Sequence, residues 1–151
     1  MALLSLTVDE LRARAGQHLG TSSWHEVTQE QVNLFADATG DHQFIHVDPE
    51  RAKTGPFGQT VAHGYLTLSM ASMLVWEVVE VTDATVTINY GLNRVRFPAP
   101  LPVGGRVRAD VTCAAIEEVR GGVQVTLAIT FEHEGGAKPV CVAESLLRFG
   151  T

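Results

Sequence analysis

From Tyr65 to Val81 the chain is apolar almost without interruption, relieved only by Thr67, Ser69, Ser72, Glu77 and Glu80. A segment of this kind predicts a helix that is apolar nearly all round, and such a helix has to be surrounded by other structure. Seventeen residues would extend about 26 Å at the usual helical rise. That is short of the roughly 20 residues needed to cross a bilayer, and two carboxylates interrupt it, so the reading is a buried helix with no membrane partner.

After this segment the apolar period changes to two. Val86, Ile88, Tyr90 and Leu92 alternate with polar residues, then the phase jumps to Val95 and Phe97, which predicts a bulge or bend beside Gly91. Pro98, Pro100 and Pro102 with Gly104-Gly105 make a stiff connection to a half-exposed strand carrying Val107, Ala109, Val111 and Cys113. Gly121-Gly122 signals a hairpin into Val123, Val125, Leu127, Ile129 and Phe131, and Glu134-Gly135-Gly136 signals another turn. Residues 140–149 carry apolar side chains of both parities at their start, as expected of a strand covered on both faces. One apolar helix followed by hairpin-linked strands implies an antiparallel sheet curved around that helix, an α+β domain over residues 1–151.

Upstream, Thr7-Val8-Asp9-Glu10 has capping-box spacing and predicts a short helix over 8–15, stopped by Gly16. Leu19 to Val27 reads as a weak strand. A second capping box, Thr28 to Gln31, opens a helix marked by Val32, Phe35, Ala36 and Thr39 and closed by Gly40. Asp48-Pro49 opens a further short helix that Gly55-Pro56 breaks.

The polar, titratable residues collect between these helices, from Gly40 to Tyr65, in what reads as a loop pinned at both ends. Asp41 and His46 are five residues apart in it, and a bend brings a carboxylate and an imidazole around one water, the groups needed to move protons near neutral pH. The same two residues suggest a metal site, but the spacing supplies no third ligand, and none is expected. Taken alone the pattern is weak, since an Asp often only caps a turn; His42 and Asp48 read as solvent-facing or turn-forming. His63-Gly64 begins the apolar helix, where free backbone N–H groups attract negative charge and Gly64 allows close approach of a ligand oxygen. The plainer reading is a capping His63 and a tightly packed Gly64. Arg94 with Arg96, and Arg106 with Arg108, occupy strand faces that suit phosphates or plain solvent. Met70 and Met73 read as core filler.

Composition narrows the partners. The net charge is −6, which argues against nucleic acid because phosphate binding needs a basic footprint. Cys113 and Cys141 lie in strands without zinc-like neighbours and read as core thiols. The first residues lack the basic flank of a secretory signal, so a cytoplasmic location is expected.

Gly40-Asp41-x-x-x-Ile45-His46-x-Asp48-Pro49-x-x-Ala52, with Gly55-Pro56-Phe57-Gly58 and Ala62-His63-Gly64, resembles the hydratase 2 motif of the MaoC-like (R)-specific enoyl-CoA hydratases. Arg94 to Pro100 and Gly104 are similar to that family's sheet segment, so the resemblance covers nearly the whole chain. It implies the hot-dog fold, a long apolar helix wrapped by an antiparallel sheet. It implies that Asp41 and His46 activate a water that adds across the trans-2,3 double bond of an enoyl-CoA. Gly64 would donate its N–H to the thioester oxygen, and neither metal nor redox cofactor is needed, coenzyme A being part of the substrate. A homodimer joined sheet edge to sheet edge is expected on the same ground. Gln43 and Phe44 stand where the widespread pattern has Asn and Pro; a Gln followed by an aromatic resembles the nodulation protein N-like branch. A thioesterase and a non-catalytic acyl-thioester binding module remain as alternatives on the same fold.

Overall fold

A computed structural model describes residues 4–151. In chain order the elements are β1 (Leu4–Leu6), α1 (Val8–Arg12), β2 (His18–Thr21), β3 (His25–Glu26), α2 (Gln29–Thr39), α3 (Phe44–Val47), α4 (Pro49–Ala52), α5 (Gly64–Ser69), α6 (Ala71–Val78), β4 (Val79–Val81), β5 (Thr87–Arg96), β6 (Arg106–Val119), β7 (Gly122–His133) and β8 (Cys141–Gly150). The main sheet is antiparallel, in the order β2-β6-β7-β8-β5, with β3 also on β6. It is open, and its hollow face holds α5 and α6. This is the hot-dog arrangement, mixed α+β.

Alternation decides which face of each strand is buried. In β7, Val123, Val125, Leu127, Ile129 and Phe131 all point into the core, while the residues between them stay half-exposed. In β6, Val107, Ala109, Val111 and Cys113 do the same until a register shift between Cys113 and Ala115. Against them lie Leu74, Val75 and Val78 of α6. Each such side chain contributes roughly 1.5–3 kcal/mol relative to exposure. Cys113 and Cys141 are buried free thiols in this layer, and burial pushes the Cys141 thiol up to about 11.

The apolar segment departs from the single long helix that its composition suggests. Met70 divides it into α5 and α6, since its ψ of −8° tightens the turn and its N–H is shared among carbonyls of the preceding turn. Its last three residues, Val79-Glu80-Val81, leave the helix altogether and pair in parallel with Leu4–Leu6, where β-branched side chains fit better. Nor is it covered all round: Tyr65, Met73 and Trp76 are exposed, as are Val86, Ile88, Tyr90 and Leu92 of and beside the edge strand β5. The expected bulge is present, with register shifts on either side of Gly91 and Leu92. Among the described residues no helix is long and apolar enough to cross a membrane.

At the N-terminal side, both components of the Thr7/Glu10 capping box form, but α1 ends at Arg12 instead of reaching residue 15. Thr28 caps α2 by accepting the Gln31 N–H, and Gly40 closes it in the left-handed conformation, φ 84°, its N–H bonded to the Ala36 carbonyl. A residue with a Cβ would be strained at this φ. The weak strand expected over 19–27 is two short pieces, β2 and β3.

Candidate functional site

Asp41 leaves α2 immediately after the Gly40 reversal and is exposed. Its Oδ1 accepts the Gln43 N–H at 3.3 Å, which steadies the start of a single helical turn, α3. The loop expected here is therefore partly helical, and that turn carries His46 inward. The His46 ring is buried, with Nδ1 2.6 Å from the Val61 carbonyl. A carbonyl only accepts, so Nδ1 bears the hydrogen, and in the neutral ring Nε2 then presents its lone pair. The Val61 N–H in turn reaches the Ile45 carbonyl at 2.9 Å, so the strand-like segment before α5 clamps the backbone beside His46 as well as its ring.

α5 starts beside this pair. His63 is its N-cap but makes no capping bond with its side chain; the buried ring turns away, with Nε2 2.9 Å from the Asp41 carbonyl oxygen. The same ring stacks on His46, centroids 3.9 Å apart and planes 23° apart. The N–H groups of Leu66 and Thr67 return to the His63 carbonyl, whereas Gly64 occupies the first helical position, whose N–H has no intrahelical acceptor. Phe97 packs directly on Gly64: a Cβ there would stand 3.0 Å from Phe97 Cδ1.

Two cavities meet at this point. One, about 480 Å³, is lined by Phe35, Thr39, Asp41, His46, His63 and Tyr65, and the other, about 290 Å³, mostly by apolar groups such as Ile45, Phe57, Val61, Leu101 and Val140. His46, Gly64 and Phe97 form walls of both. Asp41, His46 and His63 each direct a ligating atom to within 4.8 Å of the others. The fold thus corrects the expectation that no third ligand is at hand: His63 stands beside the Asp-x4-His pair, brought there from outside its spacing.

The remaining residues singled out from sequence lie as follows. Gln43 acts through its backbone: its carbonyl accepts the His46 N–H at 3.0 Å, while its side chain is exposed and makes no cap. Arg94 and Arg96 are exposed on β5, just before Phe97, with no carboxylate within ion-pair distance among the described residues; the Arg96 guanidinium donates to the Val95 carbonyl at 2.7 Å. Arg106 and Arg108, on β6, instead pair with Glu134 and Glu132, which is the solvated-face arrangement. His42 points outward to Asp37, whose hydrogen bond raises its pKa, and Asp48 caps α4 through the Arg51 N–H. Met70 is core, but Met73 is exposed. Three participants escape sequence reasoning. Val61 orients His46 through a main-chain oxygen that no side-chain pattern reveals, and Phe35 and Phe97 are ordinary apolar residues until the fold sets them against His63 and Gly64.

A family-level match to the MaoC like domain spans residues 10–134. The chain is 56% identical over 144 residues to 3-hydroxyacyl-thioester dehydratase Z of Mycobacterium tuberculosis, covering 95% of each, and 43% identical to nodulation protein N of Rhizobium leguminosarum bv. viciae, covering 91% of this chain and 88% of that one. Among solved structures, R-hydratase PhaJ1 from Pseudomonas aeruginosa superposes with a TM-score of 0.77 at 23% identity, over 96% of this chain and 86% of that chain. The (R)-hydratase from A. caviae involved in PHA biosynthesis superposes at 0.72 with 26% identity, over 88% and 94%.

Proposed function

Because the chain belongs to the MaoC-like domain family, we propose that it is a hydro-lyase of acyl thioesters that adds water to a trans-2-enoyl-CoA to give the (R)-3-hydroxyacyl-CoA, and removes it in reverse. The observation that carries this reading is the meeting of Asp41, the His46 Nε2 lone pair and the Gly64 N–H around one cavity. The relative named for dehydration of 3-hydroxyacyl thioesters describes the reverse direction of the same reaction, and supports it.

In this account the thioester carbonyl oxygen accepts the Gly64 N–H, which polarises the conjugated double bond. A water held by Asp41 and His46 loses a proton to His46 Nε2 as its oxygen bonds to C3, and the electron pair of the double bond moves toward C2 and the carbonyl oxygen. The pair then returns a proton to C2 from the same face, so the sum is one water added and no electrons gained or lost. That balance requires neither metal nor redox cofactor. A backbone donor aimed at the developing enolate oxygen contributes about 3 kcal/mol to the barrier reduction, and acid/base assistance contributes roughly 10²–10⁴-fold.

Arg94 and Arg96, without a carboxylate partner among the described residues and just before Phe97 of the cavity wall, are the groups we assign to the phosphates of coenzyme A. A homodimer formed through β5 follows from its free edge and from Val86, Ile88, Tyr90 and Leu92, 46% to 53% exposed, an apolar row that a monomer would leave in water. We place the enzyme in the cytoplasm, where its buried thiols stay reduced. Incubation with crotonyl-CoA, read as loss of the enoyl-thioester absorbance, tests the reaction: hydration is expected, and release of free thiol without hydration would move the chain to the thioesterase class.

A further inference from the structure

We propose that His63 is a positioning residue, a clamp that touches both members of the catalytic pair and sets one against the other; the inference deepens the hydro-lyase reading and rests on it. No other side chain makes the two contacts together among the described residues: Nε2 lies 2.9 Å from the Asp41 carbonyl oxygen, and the ring lies flat on His46 at 3.9 Å and 23°. Phe35 closes another side of the ring at 4.9 Å and 54°, so His63 is held in a slot between two aromatic rings.

The hydrogen-bond partners dictate the tautomers. The Asp41 carbonyl accepts, so His63 carries its hydrogen on Nε2, whereas His46 carries its own on Nδ1 toward Val61. The two stacked imidazoles therefore hold opposite tautomers, each N–H spent on a backbone carbonyl. His63 Nδ1 is then a bare lone pair, buried without a partner. A hydrogen there would be a buried unsatisfied donor, so the orphan atom itself favours the tautomer that reaches Asp41. His63 is also the residue before Gly64, so one residue connects the main chain of Asp41, the His46 imidazole and the backbone donor. Its N–H is committed to Asp41 and is not presented to substrate; the thioester oxygen is left to Gly64.

The test has two arms. Imidazole ¹⁵N chemical shifts of the full chain report the tautomers without any turnover: protonated Nε2 with bare Nδ1 is expected at His63, and the Nδ1–H tautomer would overturn the clamp whatever the activity. In the second arm, on crotonyl-CoA, H63A should lower kcat about 100-fold with KM within about threefold, the loss expected of a displacement of order 1 Å. H63Q keeps a donor and H63F keeps a ring, so each should regain part of that loss. In an Asp41→Asn background His63→Ala should cost little more, because it acts through the pair. A rise in KM with kcat unchanged, or full additivity with Asp41→Asn, would contradict the proposal. Absence of hydration by the unmodified protein would instead remove the hydro-lyase reading and leave the ¹⁵N arm standing.

Discussion

Gly64 lies so close under Phe97 that a single methyl on its Cα would stand 3.0–3.2 Å from three carbons of the ring. The contact has two consequences. Any side chain at the first position of α5 would have to push the ring aside, and the contact places an aromatic wall beside the N–H proposed to meet the thioester oxygen. Gly64→Ala is therefore expected to fold, because Phe97 is partly exposed and can swing outward, but to displace the wall between the two cavities. We expect kcat/KM on crotonyl-CoA to fall about 10- to 100-fold, with a circular-dichroism melting curve close to that of the parent.

Asp41→Asn should leave the fold intact, because the carboxylate is exposed and its structural bond, from the Gln43 N–H, can be made by an amide oxygen. Loss of the charge should nevertheless lower kcat about 10²–10⁴-fold. Steady-state rates on crotonyl-CoA together with a thermal melt separate the two effects; an active Asp41→Asn enzyme would remove Asp41 from the mechanism.

The β5 edge makes a prediction about mass in solution. Light scattering after size exclusion should give twice the chain mass. Leu92→Glu, which sets a charge among exposed Val86, Ile88 and Tyr90, should shift the population toward monomer. A parent protein that runs as a monomer would contradict an edge-to-edge dimer.

Glu77 links stability to pH. Burial acts to raise its carboxyl, but hydrogen bonds from the Ser23 hydroxyl at 2.7 Å and N–H at 3.0 Å, with His25, outweigh burial and hold it below its ordinary value of 4.5. A folded value below the unfolded one means that the stabilisation is complete above 4.5 and fades as the pH falls through the lowered value. Glu77→Gln should cost on the order of 1–2 kcal/mol in urea unfolding at neutral pH. The gap to the parent should narrow as the pH falls below 4.5 and through the lowered value.

How much of this was readable from residues alone depends on the range of the interactions involved. Alternation from Val107 to Phe131 is a local property and specifies the buried faces of β6 and β7 directly; the caps at Thr7, Thr28, Gly40 and Asp48 are local too, and all four form. The segment from Tyr65 to Val81 reads as a single helix because hydrophobicity does not distinguish a helix from a buried strand. Its last three residues are strand only because Leu4–Leu6 lies alongside them, 75 positions earlier. At the site, Asp41, His46 and Gly64 were visible through motif spacing. The stack of His63 on His46, the bond of Val61 to His46 and the packing of Phe97 on Gly64 join residues 15 to 33 positions apart. No spacing rule encodes such contacts. The exposure of β5 and of Trp76 was hidden for the opposite reason: an apolar row reads the same whether its cover comes from its own chain or from another.

The central claim is that Asp41, His46 and Gly64 direct water to one face of an enoyl thioester. Its most direct test is chiral analysis of the product formed from crotonyl-CoA by the unmodified chain. The account predicts (R)-3-hydroxybutyryl-CoA as the product; the (S) product, or thiol release with no hydroxyacyl product, would contradict it.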